Sequence, residues 1–363
     1  MIVKNLLLAV GVVGVSTAAA AADASKANWQ IGGKIRMDNV QSTDVTTPAA
    51  SGAKKITSKD SEISLNTAQF TLTGTQGADS MVIKFLADKS ELDTATISHK
   101  FTDMISTTFG KMTLMSQGFE VDYDAIDQYV WSMAGQNAPS NATGARVDLS
   151  FGDHSVAVQA VQGLSTITSG STTMTFPTGG RMSWALQYRG QIAGMIRPLF
   201  TYTKVSPSSS LGTSVTIDGN TKTTVGVRYG NGYQTQMGVG AQVDIAGATV
   251  DVEMDTVTFH KQTIKDTTEK DSKISSMIVQ AKYPFGATTG LLKFTSDSHK
   301  FGATSDVGDI TQTQIALGAE HKLDATCRLH AIYSMGNAST KATASESEKV
   351  ASNGFNFGVT ASM

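Results

Sequence analysis

From residue 28 onward the chain alternates. Trp29, Ile31, Gly33, Ile35 and Met37 fall on one side of an extended segment, with Gln30, Lys34, Arg36 and Asp38 on the other. Successive side chains of a strand point to opposite faces, so a period of two predicts a sheet with one apolar and one wet face. The pattern returns at Ala145, Val147, Leu149 and Phe151, and again at Met182, Trp184, Leu186 and Tyr188. It continues through Val225, Val227 and Tyr229, then Met237, Val239, Ala241 and Val243. Val250, Val252 and Met254 alternate with Asp251, Glu253 and Asp255. Ile315, Leu317 and Ala319 follow, then Cys327, Leu329, Ala331 and Tyr333, and last Phe355, Phe357, Val359, Ala361 and Met363.

The connections come in two lengths. Gly152-Asp153, Gly190-Gln191 and Gly230-Asn231-Gly232 have the composition of tight hairpins. Longer polar stretches lie at 41–60, 116–143, 163–180, 205–220, 261–272, 298–309 and 337–352. Short turns at one end and long loops at the other predict a transmembrane antiparallel β-barrel of about 16 strands, or about 18 if the weak segments 80–88, 93–102 and 210–217 all count. No linker divides the chain, so residues 23–363 are expected to form a single barrel domain.

Alternation alone also suits a soluble sandwich, and the charges separate the two. All seven arginines, Arg36, Arg146, Arg181, Arg189, Arg197, Arg228 and Arg328, share the phase opposite their apolar neighbours. An Arg or Lys facing lipid at mid-depth costs about 2–4 kcal/mol, and this phase avoids that cost. A sandwich of 363 residues would need more inward bulk than Ala, Gly, Val and Met supply; a large barrel holds water inside and turns its apolar band to lipid. Trp29, Phe151, Tyr188 and Tyr229 sit in the apolar phase at strand ends, where an interfacial girdle places its aromatic rings.

The N-terminus adds an address. A short basic start ending at Lys4 leads into the apolar run Leu6 to Val15 and the small residues Ser16 to Ala22. This reads as a secretory signal peptide over residues 1–22, too short to span a bilayer comfortably. Beyond it no stretch approaches the roughly 20 apolar residues of a membrane helix. The formal net charge of -2 gives no basic excess for nucleic acid, and Cys327, the single cysteine, excludes an intrachain disulfide.

In this layout the chain resembles the Gram-negative outer-membrane porin superfamily. A leader runs directly into a strand, Asn28 to Val40, and the chain closes on an amphipathic strand, Gly354 to Met363. The family usually ends in Phe or another aromatic where this chain has Met363. The resemblance implies residence in outer-membrane lipid, a homotrimer, and delivery by the barrel assembly machinery through the C-terminal strand. It also implies passive diffusion of small hydrophilic solutes and ions. After Phe109-Gly110-Lys111 it implies a long third loop folded into the lumen, here carrying Glu120, Asp122, Asp124 and Asp127. By that analogy these four form the acidic side of a constriction, with Lys34, Arg36, Arg146, Arg181 and Arg189 as candidates for the basic wall. A low-dielectric wall focuses the field of such opposed rows.

Signals for other chemistry are missing. The six histidines are scattered with no HExxH or Cys/His spacing, and there is no GxSxG elbow or phosphate loop, so neither catalysis nor a cofactor is expected. Asp153-His154-Ser155 are adjacent in sequence, whereas a triad is defined by spatial geometry. Gly238-Val239-Gly240 reads as a strand bend and Cys327 as a small hydrophobe. Two other classes of function remain: a structural or adhesive outer-membrane barrel that binds a partner through its loops, and a secreted soluble β-protein.

Overall fold

The computed structural model describes residues 27–49, 54–116, 118–120, 130–136, 141–162, 166–169, 172–175, 182–205, 233–260, 271–300, 309–341 and 347–362. The first barrel strands are β1 (Asn28–Thr47), β2 (Ile56–Gln76), β3 (Asp79–Leu86), β4 (Glu91–Lys100), β5 (Ile105–Met112), β6 (Ala142–Phe151) and β7 (His154–Gln162). After a separate two-stranded sheet of β8 (Thr166–Ser169) and β9 (Thr172–Thr175) come β10 (Met182–Arg189), β11 (Ile196–Val205), β12 (Tyr233–Ile245) and β13 (Ala248–His260). The wall is completed by β14 (Ser272–Phe285), β15 (Thr288–Lys300), β16 (Ile310–Lys322), β17 (Cys327–Lys341) and β18 (Ser347–Ser362). Sixteen of these strands pair in sequence order into one closed antiparallel barrel, and β1 against β18 closes it, from Lys34 opposite Ser362 to Thr47 opposite Lys349.

Closure removes every free edge, the condition for a sheet to cross lipid, where an unpaired backbone group finds no water. At one rim the turns are tight. Gly77, Gly152 and Gly286 each open a two-residue turn at positive φ, and at Ala246-Gly247 both residues lie at positive φ. These mirror-image turns match the right-handed twist of the strands they join. At the other rim lie the long connections, of which 113–141 is the third. Register shifts at Arg36/Met37 and at Lys84/Phe85 mark β-bulges in the wall.

Several sequence boundaries move. β1 runs on to Thr47 and β2 starts at Ile56, so most of the polar stretch 41–60 is strand and the connection is only 48–55. Likewise 337–352 is largely the ends of β17 and β18. Polar residues at a barrel rim can still pair their backbones, and polarity alone does not end a strand. The weak segments 80–88 and 93–102 correspond to β3 and β4. Segment 210–217, the strand expected around Arg228, Tyr229 and the turn Gly230-Asn231-Gly232 lie outside the described residues, as do the leader 1–22 and Met363. β11 pairs directly with β12, and residues 206–232 stand between them in the sequence.

The outward face is apolar over the height of the barrel. Ile31 (71% exposed), Ile63 (72%), Ile97, Phe109, Met237, Met254, Leu317 and Phe357 all stand clear of the wall. A soluble protein rarely exposes so continuous an apolar surface, so this band is the lipid face. Near the tight-turn rim it carries Trp29, Phe101, Phe151, Tyr283 and Phe285. The Tyr188 hydroxyl there contacts His154 Nδ1 at 2.9 Å, and the His154 ring lies between Phe151 and Tyr188.

Candidate functional site

The described parts of the third connection, 113–116, 118–120 and 130–136, run inside the barrel and shape the lumen. Three dry clusters mark where it lands. Leu114 packs with Val161, Ala185 and Val205. Met133 and Ala134 meet Val257, Phe259, Ile274 and Ile310, and Val130 meets Leu291, Ala316 and Ile332. These wall residues point inward, against the rule that a wet barrel is polar inside, because the loop and not water covers them. Burying each such side chain is worth about 1.5–3 kcal/mol, enough to hold a loop against its ordering entropy.

Polar anchors fix the path. Met115 N donates to Gln159 Oε1 (2.9 Å), Gln159 Nε2 donates to Thr113 O (2.9 Å), and Thr203 Oγ1 donates to Met115 O (2.6 Å). Further along, the amides of Phe119 and Glu120 both donate to Glu253 Oε2, at 2.8 and 3.1 Å. Gln280 Nε2 donates to Phe119 O (3.1 Å). Where the loop returns, Met133 N donates to Asp297 Oδ1 (3.0 Å) and Ala134 N to Ser276 Oγ (3.1 Å). The short helix Met133–Gln136 sits at this point, and Asn141 then ties the exit to Asp93 of β4.

Glu120, expected on the acidic side of a constriction, lies instead against the wall with no exposed surface. Its carboxylate pairs with Lys293 Nζ at 3.0 Å and accepts from Ser132 N and Ser132 Oγ at 2.8 and 2.7 Å. Lys293 is equally buried, its ammonium 5.4 Å from the Trp131 ring centroid. Gly135 packs so closely that a β-carbon there would strike Glu120. A buried ion pair with this many hydrogen bonds fixes geometry more than it adds stability.

The basic candidates scatter around the wall. Arg189 of β10 reaches the loop: Nη2 donates to Gly118 O at 3.4 Å, and the guanidinium lies 5.6 Å from the Phe119 ring centroid. Arg146 of β6 pairs with Asp148 at 2.8 Å and stays partly open to the lumen, as does Lys34 of β1. Arg36, by contrast, is 1% exposed. Its Nε donates to Asp38 Oδ2 at 2.9 Å, Asn66 Nδ2 donates to the same carboxylate, and His330 Nε2 donates to Asp38 Oδ1 at 2.6 Å. It belongs to the seam where β1 meets β18. Asp122, Asp124, Asp127 and Arg181 lie outside the described residues. All five described arginines of the seven keep the inward phase.

Sequence reasoning passed over the wall side of these contacts. Lys293, Asp297, Gln159 and Gln280 drew no attention, although each lies in the inward phase of its strand. The acidic triplet Asp251, Glu253 and Asp255 was visible as an alternation, and an inward carboxylate row against a loop is the signal that could have been read from it. Beside the loop's Val130, a small cleft is lined by Val40, Ser42, Gln314, Ile332 and Gly354.

A closed 16-stranded wall, an apolar outer band and a long loop strapped inside agree with the family model described as Gram-negative porin, which matches residues 8–341. The chain belongs to the Gram-negative porin family. No curated protein matches this porin by sequence. Among solved structures it is similar to the outer-membrane channel DcaP of Acinetobacter baumannii, with 12% identity, 94% of this porin and 99% of that chain covered, and a TM-score of 0.65. OmpT, an outer membrane protein of Vibrio cholerae, matches at 14% identity over 93% of this porin and 98% of that chain, with a TM-score of 0.62. An anion-selective porin from Comamonas acidovorans matches at 12% identity over 93% of this porin and all of that chain (100%), with a TM-score of 0.61. At these identities the likeness is one of fold.

Proposed function

We propose that the mature protein is a passive, water-filled channel for small hydrophilic solutes and ions, with no catalytic role. The observation that carries this reading is the wall-strapped third loop. The described parts of the loop, held by Glu253, Asp297 and the Glu120–Lys293 pair, lie against the inner wall and narrow the lumen. Size then selects by width, and charges along the gap select by sign. Asp122, Asp124 and Asp127 of the third loop's sequence, together with Lys34, Arg146 and Arg189, are the residues we propose for that field. Glu120 and Arg36 are excluded by their burial.

The same reading includes removal of residues 1–22 on export, assembly through the C-terminal strand by the barrel insertion machinery, and a homotrimer in outer-membrane lipid. The apolar outer band and family membership support the membrane setting.

The test is single-channel conductance of the detergent-extracted mature protein in a planar bilayer, with the reversal potential taken under a salt gradient. Stable open steps are expected. A folded barrel that never conducts would sink the channel reading and favour a structural or adhesive role. Charge reversal at Arg146 is expected to move the reversal potential toward cations, and an unmoved potential would remove it from the field.

A further inference from the structure

On the outer wall of β11 to β15, at the end away from the tight turns, three successive levels change character together. The lowest reads Phe200, Val239, Met254 and Met277, each opposite the next in register. Two residues further along each strand the level reads Tyr202, Met237, Thr256, Ser275 and Ser298. Two further again it reads Lys204, Thr235, Thr258, Lys273 and Lys300. Neighbours in the chain fix the outward phase of these lysines. Val205 and Ile274 pack under the third loop, and His299 meets Ser272 Oγ inside the wall at 2.7 Å. Apolar, then hydroxyl, then lysine is the order in which a wall passes from hydrocarbon to headgroups. The step from Phe200 to Lys204 covers about 13 Å along the strand, and less along the axis of a tilted barrel. Trp184 of β10 stands opposite Lys204, its ring 5.0 Å from that of Tyr202, an aromatic pair of the kind that marks the interface.

Within the lysine level the charges are not balanced. Lys273 and Lys300 face each other directly across an antiparallel pair, both exposed, a placement in which like charges repel. Neither has an ion-pair partner among the described residues. Two carboxylates lie at the outer margin: Asp271, which His260 Nδ1 engages at 2.9 Å, and Asp309 ahead of β16. His260 Nε2 meets Thr235 Oγ1 at 2.9 Å, so hydrogen-bonding groups fill the space between Lys204 and Lys273. Lysines that only snorkel out of lipid reach water singly and need no common level. Here they share one register row. Lys204 and Lys273 are three strands apart, about 14 Å at the spacing of paired strands, too far for one phosphate to touch both.

We propose that this row binds the headgroup of an outer-leaflet lipid that carries two phosphates, one between Lys273 and Lys300 and the other at Lys204. Its acyl chains lie on the apolar level below, against Val239, Met254 and Met277. The long-loop end of such a barrel faces the cell exterior, which places the lipid in the outer leaflet. A phosphate beside Lys273 and Lys300 turns their repulsion into two charge-assisted contacts. The hydroxyls of Thr235 and Thr258 stand between the two phosphate positions, where the polar part linking them runs. The proposal rests on the membrane setting of the channel reading and not on conduction.

The experiment titrates the mature protein, folded into uncharged detergent, with lipid A bearing two phosphates, and counts bound lipid by native mass spectrometry. One retained lipid per chain is expected in the wild type. Lys273→Gln, Lys300→Gln and Lys204→Gln should each weaken binding about fivefold, and the Lys273→Gln/Lys300→Gln double variant about twentyfold or more. Lys300→Arg keeps the charge and should keep the lipid. Lys349→Gln alters an outward lysine of β18, between Ser339 and Thr47, and should change nothing. Inorganic phosphate at the same concentration should not displace the lipid; displacement would make the occupant a free anion and overturn the proposal. Equal retention by wild type and double variant, or an equal loss in Lys349→Gln, would overturn it too and leave lysines that only snorkel. A barrel that holds the lipid but never conducts would end the channel reading and leave this one standing, and a conducting barrel indifferent to the lipid would do the reverse.

Discussion

Two rows of this barrel share one architecture and opposite chemistry. At the closing seam, Asp38 of β1 and His330 of β17 flank Gly358 of β18. On the far wall, Thr201 of β11 and Asp255 of β13 flank Gly238 of β12. In both, the central glycine lets side chains from non-adjacent strands approach over the top of the middle one. At the seam the partners are complementary: His330 donates to Asp38, Arg36 and Asn66 add their bonds, and a β-carbon on Gly358 would strike the contact. On the wall the neighbours are a hydroxyl and carboxyls, and Asp255 shares a side-chain hydrogen bond with Glu253. A glycine gap thus locks the wall when opposite charges meet across it, and merely brings like groups close when they do not.

The same substitution should separate the two. Asp38→Asn leaves the Arg36 guanidinium buried without its carboxylate, a change that typically costs about 3–5 kcal/mol. The expected readout is a large drop in the urea midpoint of the folded band on unheated gels. An unchanged midpoint would mean that the seam is held by strand pairing alone.

Next in size is the loop anchor. Lys293→Met is expected to leave the Glu120 carboxylate buried and alone, at a local cost of about 3 kcal/mol, which the loop can escape by detaching. Single-channel traces should therefore become noisy with brief closures while the barrel's urea midpoint moves little. A quiet trace with wild-type conductance would show that the apolar landing clusters suffice to hold the loop.

Asp255→Asn is the counterpart of the seam change, with the opposite sign. Removing one of two adjacent carboxylate charges relieves repulsion and should leave stability equal or raise it by about 1 kcal/mol. A loss comparable to that of Asp38→Asn would make the two rows chemically alike and break the contrast.

The smallest effect lies outside both rows, in the turn 323–326. Asp324 accepts from Thr326 N (2.7 Å) and Cys327 N (2.8 Å), which hold its carboxyl below the usual range. A depressed carboxyl stabilises the fold above its unfolded pKa and loses that contribution as pH falls through the folded value. Asp324→Asn should thus lower stability slightly at neutral pH, with the difference from wild type vanishing in acid. A difference that persists unchanged into acid would assign the effect to packing of the turn.

Much of the barrel was legible beforehand. The outward run Trp29, Ile31, Ile35, Met37 and the final Phe355, Phe357, Val359 stand on the lipid face, as their period of two requires. The five described arginines face in. Strand ends such as Thr47 and Lys341 were missed because rim residues are polar yet still paired. The candidate site was legible only in part: Glu120 and Arg36 read as pore charges, but each found a buried partner that no local pattern announces. Gly238 looked like a strand bend, and its place between Thr201 and Asp255 needed the register.

The sequence by itself determined the alternating faces, the inward phase of the charges and a loop long enough to enter the lumen. Those are short-range properties, set by the two-residue repeat and by what lipid tolerates. Tertiary structure alone decided which inward charges reach water and which are buried. That depends on pairings such as Phe119 with Glu253, 134 residues apart, and His330 with Asp38, 292 apart. Barrel closure and register bring such residues to one row, and burial then fixes whether a charge is neutralised or left to the pore.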